Sequence, residues 1–252
     1  MLEVYQFMCR SDNFGVLIHD PEAGFTASID APETDAVRDA LAAKAWNLTH
    51  ILVTHHHPDH VAGVAALKSE TGCTVTGPAK GRISGVDVGL SEGETYAFGR
   101  HEARVMETPG HTLDHIVYHF PEAGLLFAGD TLFSLGCGRV FEGTPAQMWH
   151  SLQKLMPLPG DTEVYCGHEY TLSNAEFALT VESGNDALQE RAAEVRRLRG
   201  AGKPTLPTTL GRELDTNPFL RPASPEIRQT LGMEDASDEA VWAELRRRKD
   251  RH

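Results

Sequence analysis

The sequence predicts a layered α/β domain followed by a smaller helical segment. Three observations predict it. Up to about residue 170, short apolar runs of strand length alternate with stretches of helical spacing. Turn residues such as Asp20-Pro21 and Ala23-Gly24 separate those runs. After Tyr170 the strand-like runs stop, and a stretch rich in Ala, Glu and Arg follows.

Taken in order, residues 4–8, 14–19 and 25–29 read as strands. Residues 33–44 read as an amphipathic helix, with Val37, Ala40, Leu41 and Lys44 on helical spacing. A strand over 51–54 follows, then a helix over 62–69 that Gly72 ends. Strands are expected at 74–76, 96–98, 103–108, 116–120 and 125–128, a helix at 148–155 and a strand at 163–166. Beyond the boundary, 172–182 and 186–199 read as helices. Residues 203–217 read as a loop of Pro, Thr and Gly, and 238–248 as a last helix. No internal repeat is visible, so the expected division is 1–170 and 171–252.

The chain has 252 residues, 40% of them hydrophobic, enough to bury a sizeable core. Its formal net charge of -13 argues against nucleic acid or an anionic membrane as a general partner. The four cysteines, Cys9, Cys73, Cys137 and Cys166, form no C-x-x-C pair. This argues for neither a cysteine zinc site nor a disulfide framework, and fits a reducing cytosol. The N-terminus lacks the basic and apolar regions of a secretory signal, and no apolar stretch approaches a membrane span. A cytoplasmic monomer is expected.

The most informative segment is His55-His56-His57-Pro58-Asp59-His60, which follows the apolar run 51–54. Read as His-x-His-x-Asp-His, it packs imidazoles and a carboxylate at a density that suits Zn, Fe or Mn. The loop is too compact for all four side chains to reach one ion, so a site for two metals is expected. Three further apolar strands end in a ligand candidate: His111 after Pro109-Gly110, Asp130 after Gly129, and His168 after Gly167. Glycine beside a ligand lets the backbone turn and approach closely. Together these give His55, His57 and His111 for one metal and Asp59, His60 and His168 for the other, with Asp130 bridging. His56, His115 and Glu169 sit beside ligands as supporting residues. His19, His50, His101, His119, His150 and His252 lack such context.

This order of ligands resembles the metallo-β-lactamase superfamily. Within it, the chain resembles glyoxalase II, the hydroxyacylglutathione hydrolases, along nearly its whole length. The narrower signals are Gly136-Cys137-Gly138-Arg139, Phe141-Glu142-Gly143-Thr144 and Gly167-His168-Glu169-Tyr170-Thr171. The resemblance implies an αββα sandwich with a C-terminal helical domain that holds glutathione. It assigns glutathione contacts to Arg139, Tyr170, Arg246 and Lys249. Arg246 and Lys249 are three apart, on one helix face, in the densest basic run of an acidic chain. Three positions depart from the pattern: Pro58 in the first motif, Asp114 in place of a usual glycine, and Phe141 in place of a tyrosine.

The implied reaction is hydrolysis of glutathione thioesters, chiefly S-D-lactoylglutathione to D-lactate and glutathione, as in methylglyoxal detoxification. A metal-bridged hydroxide is the expected nucleophile and two divalent ions, zinc foremost, the expected cofactor. Asp59 and Asp130 are the expected catalytic carboxylates. A glutathione-persulfide dioxygenase with one iron is the rival enzyme class, and a non-catalytic metal-binding module the rival without chemistry. No Gly-x-Ser-x-Gly elbow supports a serine hydrolase.

Overall fold

The computed structural model describes residues 1–252, which form two compact units. Unit 1 comprises Met1–Glu107 and Asp114–Gly129; unit 2 comprises Thr108–Leu113 and Asp130–His252.

Unit 1 opens with strands β1 (Glu3–Cys9), β2 (Asn13–Asp20) and β3 (Phe25–Ile29), a meander of antiparallel pairs. Helix α1 (Thr34–Lys44) then crosses over to β4 (His50–Leu52), which lies parallel to β3. Such a crossover is what a parallel pair requires. Helices α2 (Pro58–Val61) and α3 (Val64–Thr71) lead to β5 (Thr74–Pro78) and β6 (Val88–Leu90), both parallel additions. The six strands run in chain order. The apolar face of α1 (Val37, Ala40, Leu41) and Val64 and Leu67 of α3 pack with Leu17, Ile51, Val53 and Val75 of the sheet. A second, antiparallel sheet follows: β7 (Thr95–Phe98), β8 (His101–Glu107), β9 (Ile116–Phe120) and β10 (Leu125–Gly129). Its first strand meets the other sheet through rings, Phe98 lying 6.2 Å from Phe25 and 5.4 Å from His50. Strands β9 and β10 are buried along their whole length.

Unit 2 contains the hairpin β11 (Leu132–Phe133) and β12 (Gly136–Cys137), helix α4 (Pro145–Leu155), and the antiparallel pair β13 (Glu163–Cys166) and β14 (Thr208–Thr209). Helices α5 (Thr171–Val181), α6 (Asp186–Gly200), α7 (Leu210–Thr216), α8 (Pro225–Leu231) and α9 (Asp238–Lys249) complete it. Thr144 and Gln147 cap α4 reciprocally, with Pro145 at its first position. One core joins Leu135 to Ala175 and Ala178 of α5 and Leu188, Ala192 and Val195 of α6. A second stacks Phe177, Phe219 and Trp242. No helix is long and apolar enough to cross a membrane.

Several elements differ from expectation. The loop expected over 203–217 contains β14 and α7; Thr209 starts α7 by accepting the Arg212 N–H. Helix α8 was not expected, although Ser224-Pro225 and Gly232 are ordinary start and stop signals. The helix expected at 62–69 begins earlier as the short α2 and resumes as α3, ended by Gly72 in the left-handed conformation. The chain passes from one compact unit to the other after residues 107, 113 and 129. Residues 130–137 pack with the helices that follow: Asn174 donates to the Ser134 carbonyl, and Asn217 to those of Phe133 and Gly136.

Glu213 ties that packing together. It is fully buried and accepts hydrogen bonds from Ser134 Oγ, the Leu135 N–H, Thr208 Oγ1 and Asn217 Nδ2. Burial raises its pKa in spite of these bonds. It also holds Leu135 at φ 58, a left-handed conformation that a leucine rarely adopts. Glu213→Ala leaves the Leu135 N–H and the Ser134 and Thr208 hydroxyls without this acceptor, and a loss of about 3 kcal/mol or more is expected in urea unfolding. A loss below about 1 kcal/mol would show that the hairpin does not depend on it.

Candidate metal centre

The first ligand loop leaves the parallel sheet at its centre, where β4 ends. Three of its side chains converge within unit 1. The ligand atoms of His55 and His57 lie within 4.8 Å of each other, as do those of His55 and His60. Asp59 Oδ2 is 3.7 Å from His60 Nε2. Pro58 explains how four ligands fit so short a span. It occupies the first position of α2, where its missing N–H costs nothing and its fixed φ starts the turn that lifts Asp59 and His60.

The loop is held by Asp30, a residue the sequence reading did not single out. Asp30 follows β3 and is buried, with φ 56. Its Oδ1 accepts the Thr54 N–H at 2.7 Å; its Oδ2 accepts the Thr54 hydroxyl at 2.9 Å and His60 Nδ1 at 2.7 Å. The Thr54 hydroxyl, having donated its proton to Asp30, accepts from His55 Nδ1 at 3.0 Å. One carboxylate therefore favours the Nδ1–H tautomer of both histidines, directly for His60 and through the Thr54 hydroxyl for His55, and leaves the ring lone pair on Nε2, as metal ligation requires. Aspartate tolerates the left-handed backbone better than most residues, and its hydrogen bonds hold it there. The signal was present: Asp30 ends an apolar strand, the pattern that identified Asp130. Asn13 was missed as well. Its amide donates to Asp59 Oδ2 at 3.1 Å and to the Asp59 carbonyl at 3.3 Å.

Unit 2 carries the other three ligand candidates. Asp130 Oδ2 lies 3.3 Å from His111 Nε2 and 3.4 Å from His168 Nε2. His111 Nδ1 donates to the Arg139 carbonyl at 2.9 Å, which leaves the lone pair on Nε2. His168 stacks flat on Tyr170, ring centroids 4.6 Å apart. One carboxylate oxygen within reach of two imidazole nitrogens is a donor set that suits a divalent metal. Gly138 makes it possible, since a Cβ there would stand 2.0 Å from the Asp130 carbonyl oxygen. Burial pushes the Cys137 thiol up to about 11 and raises Cys166 too, so neither is a thiolate ligand.

The expected glutathione contacts lie in unit 2. Arg139 is exposed, with Nε 3.8 Å from Asp250. Arg246 is 5% exposed; it donates to the Cys137 carbonyl and to Asp250, and lies over the Phe219 ring. Lys249 Nζ donates to Ser173 O and Oγ at 2.9 Å. Burial, then the nearby Arg246 charge, lowers the Lys249 pKa to about 8. Phe141 is 62% exposed and sets its ring edge on His111. Glu169, expected as a supporting or solvated residue, instead accepts the Thr205 N–H and hydroxyl.

Asp30→Asn retains the shape but places an amide nitrogen against a donor in either orientation. A 10- to 100-fold loss of metal affinity is expected from a chelator competition. Unchanged affinity would remove Asp30 from the centre.

Comparison with known proteins agrees with this geometry. Residues 23–82 and 74–168 match the family model of the metallo-β-lactamase superfamily, and residues 169–252 that of the hydroxyacylglutathione hydrolase C-terminus. A hydroxyacylglutathione hydrolase of Rhizobium etli is 57% identical over 99% of this chain and 98% of its own length. That of Brucella anthropi is 55% identical over 99% and 96%. Among solved structures, ETHE1 from Myxococcus xanthus superposes with a TM-score of 0.69 at 27% identity, covering 99% of this chain and 100% of that one. The BLEG-1 B3 metallo-β-lactamase does so with a TM-score of 0.66 at 22% identity, covering 87% and 100%, a likeness of fold. The αββα sandwich is thus the fold of this protein, and its histidine and aspartate sets are those of a divalent-metal hydrolase. Similarity at this level over nearly the whole length places the chain in the hydroxyacylglutathione hydrolase family of the metallo-β-lactamase superfamily.

Proposed function

We propose that this chain hydrolyses hydroxyacylglutathione thioesters, chiefly S-D-lactoylglutathione to D-lactate and glutathione, as a step of methylglyoxal detoxification. The observation that carries the reading is the match to hydroxyacylglutathione hydrolases along 99% of the chain, helical C-terminus included. In this reading His55, His57 and His111 would hold one ion, and Asp59, His60 and His168 the other. Asp130 would be shared by both; its place between His111 and His168 supports that role. Zinc is the metal favoured, with iron and manganese accepted by the same donors. Such ions, when bound, supply Lewis acidity that brings the pKa of water near neutrality and polarises a carbonyl.

The protein's own groups do the rest. Asp59, aimed by the Asn13 amide, accepts a proton from the attacking water. The departing thiolate, of pKa about 8.5, needs no strong general acid. Arg139, Tyr170, Arg246 and Lys249 hold glutathione, residues 171–252 forming the glutathione-binding part and 1–170 the catalytic one. Arg246 acts from beneath, anchored on Cys137 and Asp250, while Lys249 supplies an ammonium to a glutathione carboxylate. The net charge of -13 supports a monomer that binds neither nucleic acid nor membrane. Four free, buried cysteines support the cytoplasm.

Two measurements test this. S-D-lactoylglutathione should be hydrolysed under strictly anaerobic conditions as fast as in air. Oxygen uptake with glutathione persulfide, and no thioester turnover at any metal loading, would identify a dioxygenase instead. The second test follows Lys249. It is charged below pH 8 and neutral above, so kcat/KM should fall as pH rises through about 8. Lys249→Arg, which stays charged, should flatten that limb, whereas Lys249→Ala should raise KM below pH 8, with little change in kcat, and converge on the parent above it. An unaltered pH limb in Lys249→Arg would assign the titration to another group.

A further inference from the structure

The first ligand loop has a second tether, distinct from Asp30. Residues 114–116 lie along residues 54–56 in antiparallel order. The Ile116 N–H donates to the Thr54 carbonyl at 2.9 Å. The His115 ring stacks on His55, centroids 4.8 Å apart and planes 26° from parallel. Asp114 Oδ1 accepts from His56 Nδ1 at 2.8 Å. Asp114 is 7% exposed, so this ion-pair geometry is sheltered from water on the carboxylate side. His56 stands between His55 and His57 in the chain and belongs to neither ligand set.

The three contacts divide the work. The backbone bond fixes the level of the strand ends, and the His115 stack fixes one face of His55. Neither reaches the stretch of backbone that separates His55 from His57. Asp114 reaches it through His56, whose ring stands edge-on to that of His57, centroids 5.3 Å apart. Fixing His56 between the two thus bears on the angle between His55 and His57, whose rings stand 72° apart. We propose that Asp114 is a positioning residue, which sets the geometry of His55 and His57 by anchoring His56. The inference rests on the reading of His55 and His57 as ligands of one ion.

The test is Zn²⁺ affinity of the metal-depleted full chain, measured by competition with a chromophoric chelator. Asp114→Ala should weaken binding about tenfold, the lower end of the effect of losing a supporting hydrogen bond. Asp114→Asn keeps an oxygen acceptor for His56 Nδ1 and should stay within about threefold of the parent, losing only charge assistance. His56→Ala should match Asp114→Ala, and the double variant should be no weaker than either, because both remove one interaction. If Asp114→Ala does not fold, the comparison of His56→Ala with Asp114→Asn decides. Asp114→Ala within twofold of the parent, Asp114→Asn as weak as alanine, or losses that add in the double variant would overturn the proposal. A parent chain that binds no Zn²⁺ would overturn both the proposal and the reading beneath it. Parent binding with an indifferent Asp114 would overturn the proposal alone.

Discussion

The buried carboxylate of Asp30 is the constraint on which the first ligand loop depends. It receives the Thr54 N–H, the Thr54 hydroxyl and His60 Nδ1, and through that hydroxyl it reaches His55 Nδ1. A buried carboxylate without such donors would cost several kcal/mol. Here the donors are the groups that must be fixed if the Nε2 lone pairs are to serve as ligands. Folding and ligand preparation are one event: the parallel pairing of β3 with β4 brings residue 30 beside residue 54, and the Asp30 N–H closes on the Leu52 carbonyl.

Unit 2 solves the same problem by another route. Asp130 also follows a buried strand, yet it is itself a ligand candidate. The orientation of His111 is left to the Arg139 carbonyl, and that of His168 to the flat ring of Tyr170. Gly138 permits the chain bearing Arg139 to pass against Asp130, which gives the Gly-Cys-Gly-Arg segment a structural reason beside any role of Arg139 toward substrate. Arg246 shows a similar economy. Its guanidinium joins α9 to β12 through the Cys137 carbonyl, so the basic tail is part of the packing.

Much of this was legible in the sequence, for reasons that can be named. The His-x-His-x-Asp-His run is dense enough that packing alone gives it no use, and His111, Asp130 and His168 each follow an apolar run that ends at a turn. The long elements α1, α6 and α9 carry periodicity or composition that local reading recovers. The supporting residues were not legible in this way. Asn13 and Asp30 meet their partners across 46 and 24 or 30 residues of chain, and only strand pairing reveals those distances. Strands β6, β11, β12 and β14 have two or three residues, too few for an alternation to show. Helix α7 lies in a stretch whose Pro, Thr and Gly content reads as loop, although Thr209 is a cap signal, and the short α8 lies beyond it between Ser224-Pro225 and Gly232. Asp114, which departs from the pattern by standing in place of a glycine, has a definite partner in His56.

The proposed function requires that His55, His57 and His111, and Asp59, His60 and His168, would serve a pair of ions that share Asp130. Metal content per chain at saturation, measured by mass spectrometry on the parent and on Asp130→Asn, tests this most directly. Two divalent ions per parent chain, and clearly fewer than two in the variant, are the predicted result. One ion per parent chain at saturating metal, or two ions undiminished in Asp130→Asn, would contradict it.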